Sequence, residues 1–213
     1  MSPNGTGNRF PLRVVDGRRL GKEYRDALRP GATLCDEHGV ARTLPRYFYE
    51  VPSWDAAQRT YIAPHFQLHE FIHVDVREAE PLRHFPRYVP CALTLLGACL
   101  ELLRDAVGEP VYIAANGGYR TPRHRLTRTA STHAWGTAAN IYRIGDTLLD
   151  DRETIARFAD IVRGKVPGAW VRPYGKEIGF ADDHLHVDLG FVIATPRETP
   201  GELYNPKLDS EPL

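Results

Sequence analysis

Two segments of the chain decide how its fold and chemistry are interpreted: STHAWGTAAN at residues 131–140 and DHLHVD at residues 183–188. Successive side chains of an extended strand point to opposite faces of the sheet. As a strand, the second segment places His184, His186 and Asp188 on one face and its valine on the other, toward the core. The pattern therefore predicts a face that carries two histidines and a carboxylate.

The first segment brings a third histidine toward the same place. His133 precedes Ala138–Ile144, which reads as a neighbouring strand, so it can lie in a loop at the mouth of the sheet. A catalytic zinc site uses about three protein ligands and leaves one position open for water. The metal lowers the pKa of that water, and a nearby carboxylate takes its proton. The histidines are therefore candidates for metal binding or acid–base chemistry; the plainer alternative is a structural role at a strand edge.

The surrounding pattern mixes helices and strands without a strict alternation, which indicates an α+β fold. One helix is expected over Pro90–Val107, where leucines recur at helical spacing and Gly108 follows as a stop signal. A second helix should begin at Asp150, with Glu153 completing a capping box. Further strands are expected at Val111–Ala115, Glu177–Phe180 and Leu185–Phe191.

Glycine and proline divide the chain into three parts. They are dense in residues 1–60, which predicts an irregular N-terminal arm that packs on the main domain. The main domain is expected over residues 61–195. Residues 196–213 contain four prolines and are expected to form an extended tail.

Charge and hydropathy narrow the function classes. The 213 residues include 27 basic and 27 acidic ones, so the formal net charge is zero with histidine neutral. This balance argues against nucleic-acid binding, which needs a basic surface. No apolar stretch approaches the roughly 20 residues that span a bilayer, and the first residues lack a signal-peptide core. We expect a protein without a membrane span that is cytoplasmic at synthesis, with signal-less export or a phage or injected role as the route to any cell-wall substrate.

Four motifs occur in a fixed order along the chain. FQLHEF lies at residues 66–71, GYRTP at 118–122, SxHxxGxA at 131–138 and DxxH at 183–186. Together they resemble the zinc D-Ala-D-Ala carboxypeptidase and dipeptidase family, which shares its fold with the hedgehog signalling domain. The resemblance covers roughly residues 61–192. It implies a small antiparallel sheet flanked by helices.

The resemblance also implies roles for individual residues. His133 and His186 would bind zinc, and Asp183 would act as the general base. Arg120 would hold the substrate carboxylate or polarise its carbonyl, because a guanidinium can donate two parallel hydrogen bonds to a carboxylate. His184 would lie beside the metal as an orienting or transition-state group. Such a protein would be a zinc-dependent, peptidase-like hydrolase of D-alanyl or peptidoglycan-type peptides, with a peptide or muropeptide as substrate.

Two further residues of the motifs are candidates for substrate binding. Ser131 is expected to hydrogen-bond the backbone or a ligand side chain rather than act as a nucleophile. Trp135 either lines the pocket or packs in the core. Arg120 has an alternative as well, since it could belong to a solvated basic loop with the arginines that follow it.

One position departs from the family: Asn140 stands where the family has a zinc-binding aspartate. An amide oxygen carries no charge, so a site with two histidines and an asparagine should hold zinc more weakly. Three explanations stay open: a relative that binds no metal, a site that binds metal through Asn140 or through Asp188 or His184, and an inactivating change. The rival function is a non-catalytic binding or structural module on the same fold.

A competing motif lies upstream. His69 to His73 matches HExxH, which on a helix would place two histidines one turn apart to bind zinc. The residues that follow favour a strand, because Ile72 to Val76 alternate and are rich in β-branched side chains. The family resemblance instead explains Leu68, Glu70 and Phe71 as packing and capping residues.

Overall fold

The computed structural model describes residues 10–176 and 180–197. Over these ranges the protein is of mixed α+β class, with five α-helices and several small antiparallel sheets. The helices are α1 (Lys22–Leu28), α2 (Trp54–Arg59), α3 (Leu68–Phe71), α4 (Leu93–Val107) and α5 (Arg152–Lys165). The strands are β1 (Arg13–Asp16), β2 (Thr33–Cys35), β3 (Ala41–Thr43), β4 (Tyr47–Glu50), β5 (Tyr61–Ala63), β6 (Phe66–Gln67), β7 (Tyr88–Pro90), β8 (Val111–Ile113), β9 (Ala138–Ile144), β10 (Thr147–Leu148), β11 (Trp170–Val171) and β12 (Leu185–Asp188).

The largest sheet has five strands and is built around β9. Its order is β10-β9-β12-β11, and β8 pairs with β9 as well. The β9–β12 register sets His186 opposite Asn140 and Asp188 opposite Ala138. The predicted strand Ala138–Ile144 is confirmed. The strand predicted over Leu185–Phe191 ends at Asp188, because the chain turns at Gly190 with a φ of 72°.

The two long helices pack against each other beside this sheet. Leucines of α4 face the core, and Gly108 ends the helix in the left-handed conformation, as predicted. The helix begins at Leu93 rather than Pro90, because Pro90 is the last residue of β7 and pairs with Phe48. The cap of α5 is Asp151, one residue later than predicted, and its carboxylate accepts the N–H groups of residues 153 and 154.

The described part of the N-terminal segment is more regular than its glycine and proline content suggests. It contains α1, α2 and β1–β4, and β1 and β4 form a three-stranded sheet with β7. Leu12, Leu28 and Phe48 are buried in the same apolar cluster as the leucines of α4. A smaller cluster joins Leu44 to Trp135. Residues 10–60 therefore contribute to the core of the main body.

Two predicted elements lie partly outside the described residues. The strand expected over Glu177–Phe180 includes three such residues, 177–179, and most of the tail expected over 196–213 falls in residues 198–213. The shorter strand β8 replaces the strand predicted over Val111–Ala115, because Asn116 and Gly117 turn the chain away from the sheet.

Candidate functional site

A short 3-10 turn, Thr132–Trp135, carries His133 to the start of β9. Gly136 follows with a φ of 70°, a left-handed conformation that lets the chain turn directly into the strand. Because β12 lies beside β9, the rings of His133 and His186 meet edge to face, with centroids 5.1 Å apart. The sheet thus brings together His133, His186 and Asn140, as the sequence indicated.

Each of the two buried histidines has one nitrogen committed to an acceptor. The His133 Nδ1–H donates to the Gly118 carbonyl at 2.7 Å, and the His186 Nε2–H donates to the Asp188 carboxylate at 3.0 Å. Burial holds the pKa of His133 well below its ordinary value and lowers that of His186 to about 4. Both rings are therefore neutral near pH 7, with free electron pairs on His133 Nε2 and His186 Nδ1.

Asn140 faces the free electron pair of His186. Its side-chain oxygen is placed 2.8 Å from His186 Nδ1. Two acceptors repel at this distance, and the amide oxygen and nitrogen exchange places by a simple flip. Rotated in this way, the Asn140 amide donates an N–H to Nδ1. The pair is then a satisfied hydrogen bond, and His186 has no nitrogen left for a metal.

The alternative metal ligands considered from the sequence are also engaged. The Asp188 carboxylate accepts from His186 and from the Gly190 backbone N–H at 2.8 Å. His184 Nδ1 lies 2.5 Å from the Asp183 carboxylate. Over residues 10–176 and 180–197, no three His, Cys, Asp or Glu side chains are grouped so that they could hold a metal ion.

Zinc is the cofactor that the family resemblance implies, and the donors here are a poor match for it. The three side chains in the family's ligand positions are neutral, and no described carboxylate replaces the missing aspartate. Two guanidinium groups, those of Arg120 and Arg172, add positive potential and help to lower the pKa of His133. A potential that opposes imidazole protonation also opposes a divalent cation. The residues present therefore do not fit a resident zinc ion.

The arginines are held beside the histidines by the main chain. The Arg120 N–H donates to the His133 carbonyl at 3.4 Å, and the Arg172 N–H donates to the His186 carbonyl at 3.1 Å. Burial and the neighbouring Arg172 lower the pKa of Arg120 to about 10. The two side chains thus form a pair of like charges next to neutral rings.

Neither guanidinium is matched by a carboxylate in the described part of the chain. The Nε atoms of Arg120 and Arg172 are buried and have no hydrogen-bond partner there. Glu78 is near Arg120, but its oxygens accept from Thr121 and from the Ala79 N–H. Buried donors without partners are costly to leave unmatched. The site is therefore a positively charged position suited to an anion.

His184 adds a third unmatched atom to the same neighbourhood. Its Nδ1 lies on Asp183, whereas its Nε2 is buried without a partner among the described residues. Burial lowers the pKa of His184, and Arg172 and Arg120 lower it further, although Asp183 acts in the opposite direction. The neutral ring keeps its free electron pair on Nε2, where it can accept an N–H. The side chain of Asp183 itself is mostly exposed to solvent.

The other two predicted substrate-binding residues are Ser131, the N-cap of the 3-10 turn, and Trp135, its last residue. Ser131 is half-buried just before the turn, and its carbonyl accepts the Ala134 N–H. Trp135 is fully buried: its ring packs on Phe191 at 4.9 Å and its indole N–H donates to the Thr43 carbonyl at 2.9 Å. Of the two possibilities for Trp135, packing in the core is the one observed.

Two residues of the site had no signal in the sequence. Arg172 follows directly after β11, and Trp170, which is 46% exposed, lies in β11 with its ring centroid 5.9 Å from that of His186. Both come to the site because β11 pairs with β12. A strand of two residues has no periodicity to detect, so the sequence carried no signal for either residue.

The upstream HExxH motif does not form a zinc site. The helix α3 ends at Phe71, so His73 does not follow His69 on the same helix. The Glu70 carboxylate accepts the Gln67 N–H at 2.7 Å, completing a capping box, and Leu68 and Phe71 are buried. The packing and capping roles expected for these residues are confirmed. Separate from the candidate site, a cleft of about 790 Å³ is lined in part by His69 and His73.

Comparison with known proteins returned no match to any family model, to any curated protein or to any solved structure. Among the described residues, none of the helices has the length and apolar character needed to cross a membrane.

Proposed function

We propose that the protein binds the carboxylate end of a small peptide-like ligand between Arg120, Arg172 and His184, without a resident zinc ion. The observation that carries this proposal is the pair of buried guanidinium Nε atoms that lack any partner among the described residues. A carboxylate placed there would accept hydrogen bonds from both arginines and neutralise part of their charge. Such charge-assisted bonds are among the strongest in proteins.

His184 narrows the class of ligand. Its Nε2 is a buried acceptor, since the Nδ1–H is used by Asp183. A ligand that satisfies the whole site therefore offers an anion and, close to it, an N–H donor. The C-terminal residue of a peptide has both groups, a carboxylate and the amide N–H before it. This chemistry agrees with the peptide ligand that the four sequence motifs suggest.

The finer fold and ligand assignments belong to the same proposal. The chain would adopt the DD-peptidase and hedgehog type of α+β fold, with β9 and β12 holding the site. The ligand would be a D-alanyl or peptidoglycan-type peptide. Asn140, bonded to His186, would give the module a stable pocket wall in place of a metal.

A second candidate function is zinc-dependent hydrolysis of the same peptides. One observation favours it: His133 and His186 each hold one nitrogen on an oxygen acceptor. Metal-binding histidines are commonly oriented in this way by a carbonyl or carboxylate on the outer nitrogen. Zinc-dependent hydrolysis is the second candidate because Asn140 is uncharged and because Arg120 and Arg172 oppose a divalent cation.

The ligand test is calorimetric titration of the chelator-treated protein with D-alanyl-D-alanine and with its C-terminal amide. The dipeptide should bind and the amide should not. Arg172→Gln should weaken binding by about tenfold or more, the effect of losing one hydrogen bond to a charged group. Arg163→Gln is the matched control, because Arg163 lies on α5 and pairs with Asp160.

Two results would contradict the proposal. One is equal binding of the dipeptide and its amide, which would mean that the carboxylate is not recognised. The other is binding or dipeptide cleavage that appears only after zinc is added, which would support the hydrolase.

A further inference from the structure

A second positively charged feature lies where the N-terminal segment meets the loop after residue 120. It is a cleft of about 460 Å³ lined by Arg18, Arg25, Asp26, Arg29, Pro30, Ala32 and Arg123. Three arginines come from the segment around α1, and the fourth comes from a part of the chain about a hundred residues later. The tertiary fold therefore gathers four guanidinium groups around one depression.

The one acidic residue in the cleft offsets only part of this charge: the hydrogen bond from Lys22 lowers the pKa of Asp26 most, and the charges of Arg123 and Arg25 lower it further. The Asp26 carboxylate accepts from Lys22 Nζ at 2.5 Å, and it forms no salt bridge with the four arginines. Two of the arginines instead donate to backbone carbonyls. Arg25 Nη1 donates to the Leu20 carbonyl at 2.8 Å, and Arg123 Nε donates to the Asp26 carbonyl at 3.3 Å. Within the described residues, no carboxylate lies within salt-bridge distance of any of the four.

The geometry points to a binding site for a ligand that carries two or more phosphate groups, such as an oligophosphate. Four like charges around one cleft repel, and an anion of matching charge density relieves this repulsion. All four cations are arginines, whose planar forks bind phosphate oxygens in pairs. Four guanidinium groups offer more positive charge and more N–H donors than one phosphate can engage, so several closely spaced phosphates match the cleft best. This inference is independent of the proposed peptide site.

The inference is tested by calorimetric titration with tripolyphosphate, at low and at physiological ionic strength. Saturable binding is expected, and it should weaken as salt is added because the contacts are ionic. The double variant Arg25→Gln with Arg123→Gln should lose at least about tenfold in affinity. Arg59→Gln is the control, since Arg59 lies on α2 and pairs with Asp55.

Two further titrations define the ligand and the place of binding. Tricarballylate, a tricarboxylate, should bind much more weakly than tripolyphosphate. Arg172→Gln should leave tripolyphosphate binding unchanged, which separates this cleft from the candidate peptide site. The inference is overturned if tripolyphosphate does not bind at low salt, if the double variant binds as the wild type does, or if tricarballylate binds equally well.

Discussion

Replacing His124 by asparagine should reduce the loss of stability that the protein suffers on acidification. His124 is buried, with 1% of its surface exposed. Its Nε2–H donates to the Asn116 side chain at 3.1 Å, and its Nδ1 accepts the Leu126 N–H at 3.1 Å. Protonation of Nδ1 would break the second bond and place a charge near Arg120. Burial and Arg120 accordingly lower the pKa of His124 to about 4.

The size of the effect follows from the difference between the folded and unfolded pKa. The unfolded chain takes up this proton near pH 6.5, and the folded protein takes it up only near pH 4. His124 therefore does not reduce stability above pH 6.5, and the free energy of unfolding falls as pH drops through this window. The loss attributable to His124 is about 2 kcal/mol near pH 5 and about 3 kcal/mol below pH 4.

Urea unfolding of wild type and His124→Asn near pH 7 and near pH 5 measures this loss. Asparagine has an oxygen that can replace Nδ1 as acceptor, but it does not titrate in this range. The variant should be less stable near pH 7 and should lose about 2 kcal/mol less than wild type on acidification. His38→Asn is the control, because the His38 side chain is 79% exposed. An equal loss in wild type and His124→Asn would refute the claim that burial keeps this ring neutral.

Gly118 and Thr121 lie in the segment that carries Arg120, and both are buried. Gly118→Ala should destabilise the protein by about 2–4 kcal/mol, because a Cβ there would collide with the Phe71 carbonyl oxygen. Gly164→Ala on α5 is the control: a Cβ there meets nothing within 4 Å, so this variant should be more stable by about 0.5–1 kcal/mol. If urea unfolding shows that both variants change the stability in the same direction, the contact between residue 118 and Phe71 does not matter. Thr121→Val should lower the stability by about 1.5–3 kcal/mol, because it removes a buried hydroxyl that donates to Glu78. Thr121→Ser keeps the hydroxyl and should keep most of the stability. Equal losses in the two variants would show that the hydroxyl does not matter.

Local signals were enough to predict the main helices and the strand at the site. The stop at Gly108 needs a left-handed backbone, and β9 is rich in apolar and aromatic residues and is followed by the turn at Gly145. Pro90 ends β7 instead of opening α4, and its local sequence does not distinguish the two, because a proline fits both the first turn of a helix and the end of a strand. Only the pairing of Pro90 with Phe48 decides between them.

Local motifs predicted part of the site, whereas the rest depends on how the strands pair. The motifs indicated that His133, Asn140 and His186 belong together, and the β9–β12 register brings them into contact. The sequence could not show that the Asn140 amide bonds His186, because this depends on the register of two strands 46 residues apart in the chain. Arg172 was missed because tertiary pairing of a two-residue strand brings it to the site.

The zinc content of protein purified without chelator and without a metal-affinity column distinguishes a metal-free binding site from a zinc hydrolase. We predict little zinc in the wild type and a near-stoichiometric amount in Asn140→Asp, since a carboxylate supplies the charge that the amide lacks. Near-stoichiometric zinc in the wild type, lost in His186→Ala, would contradict a metal-free binding site and would favour the hydrolase.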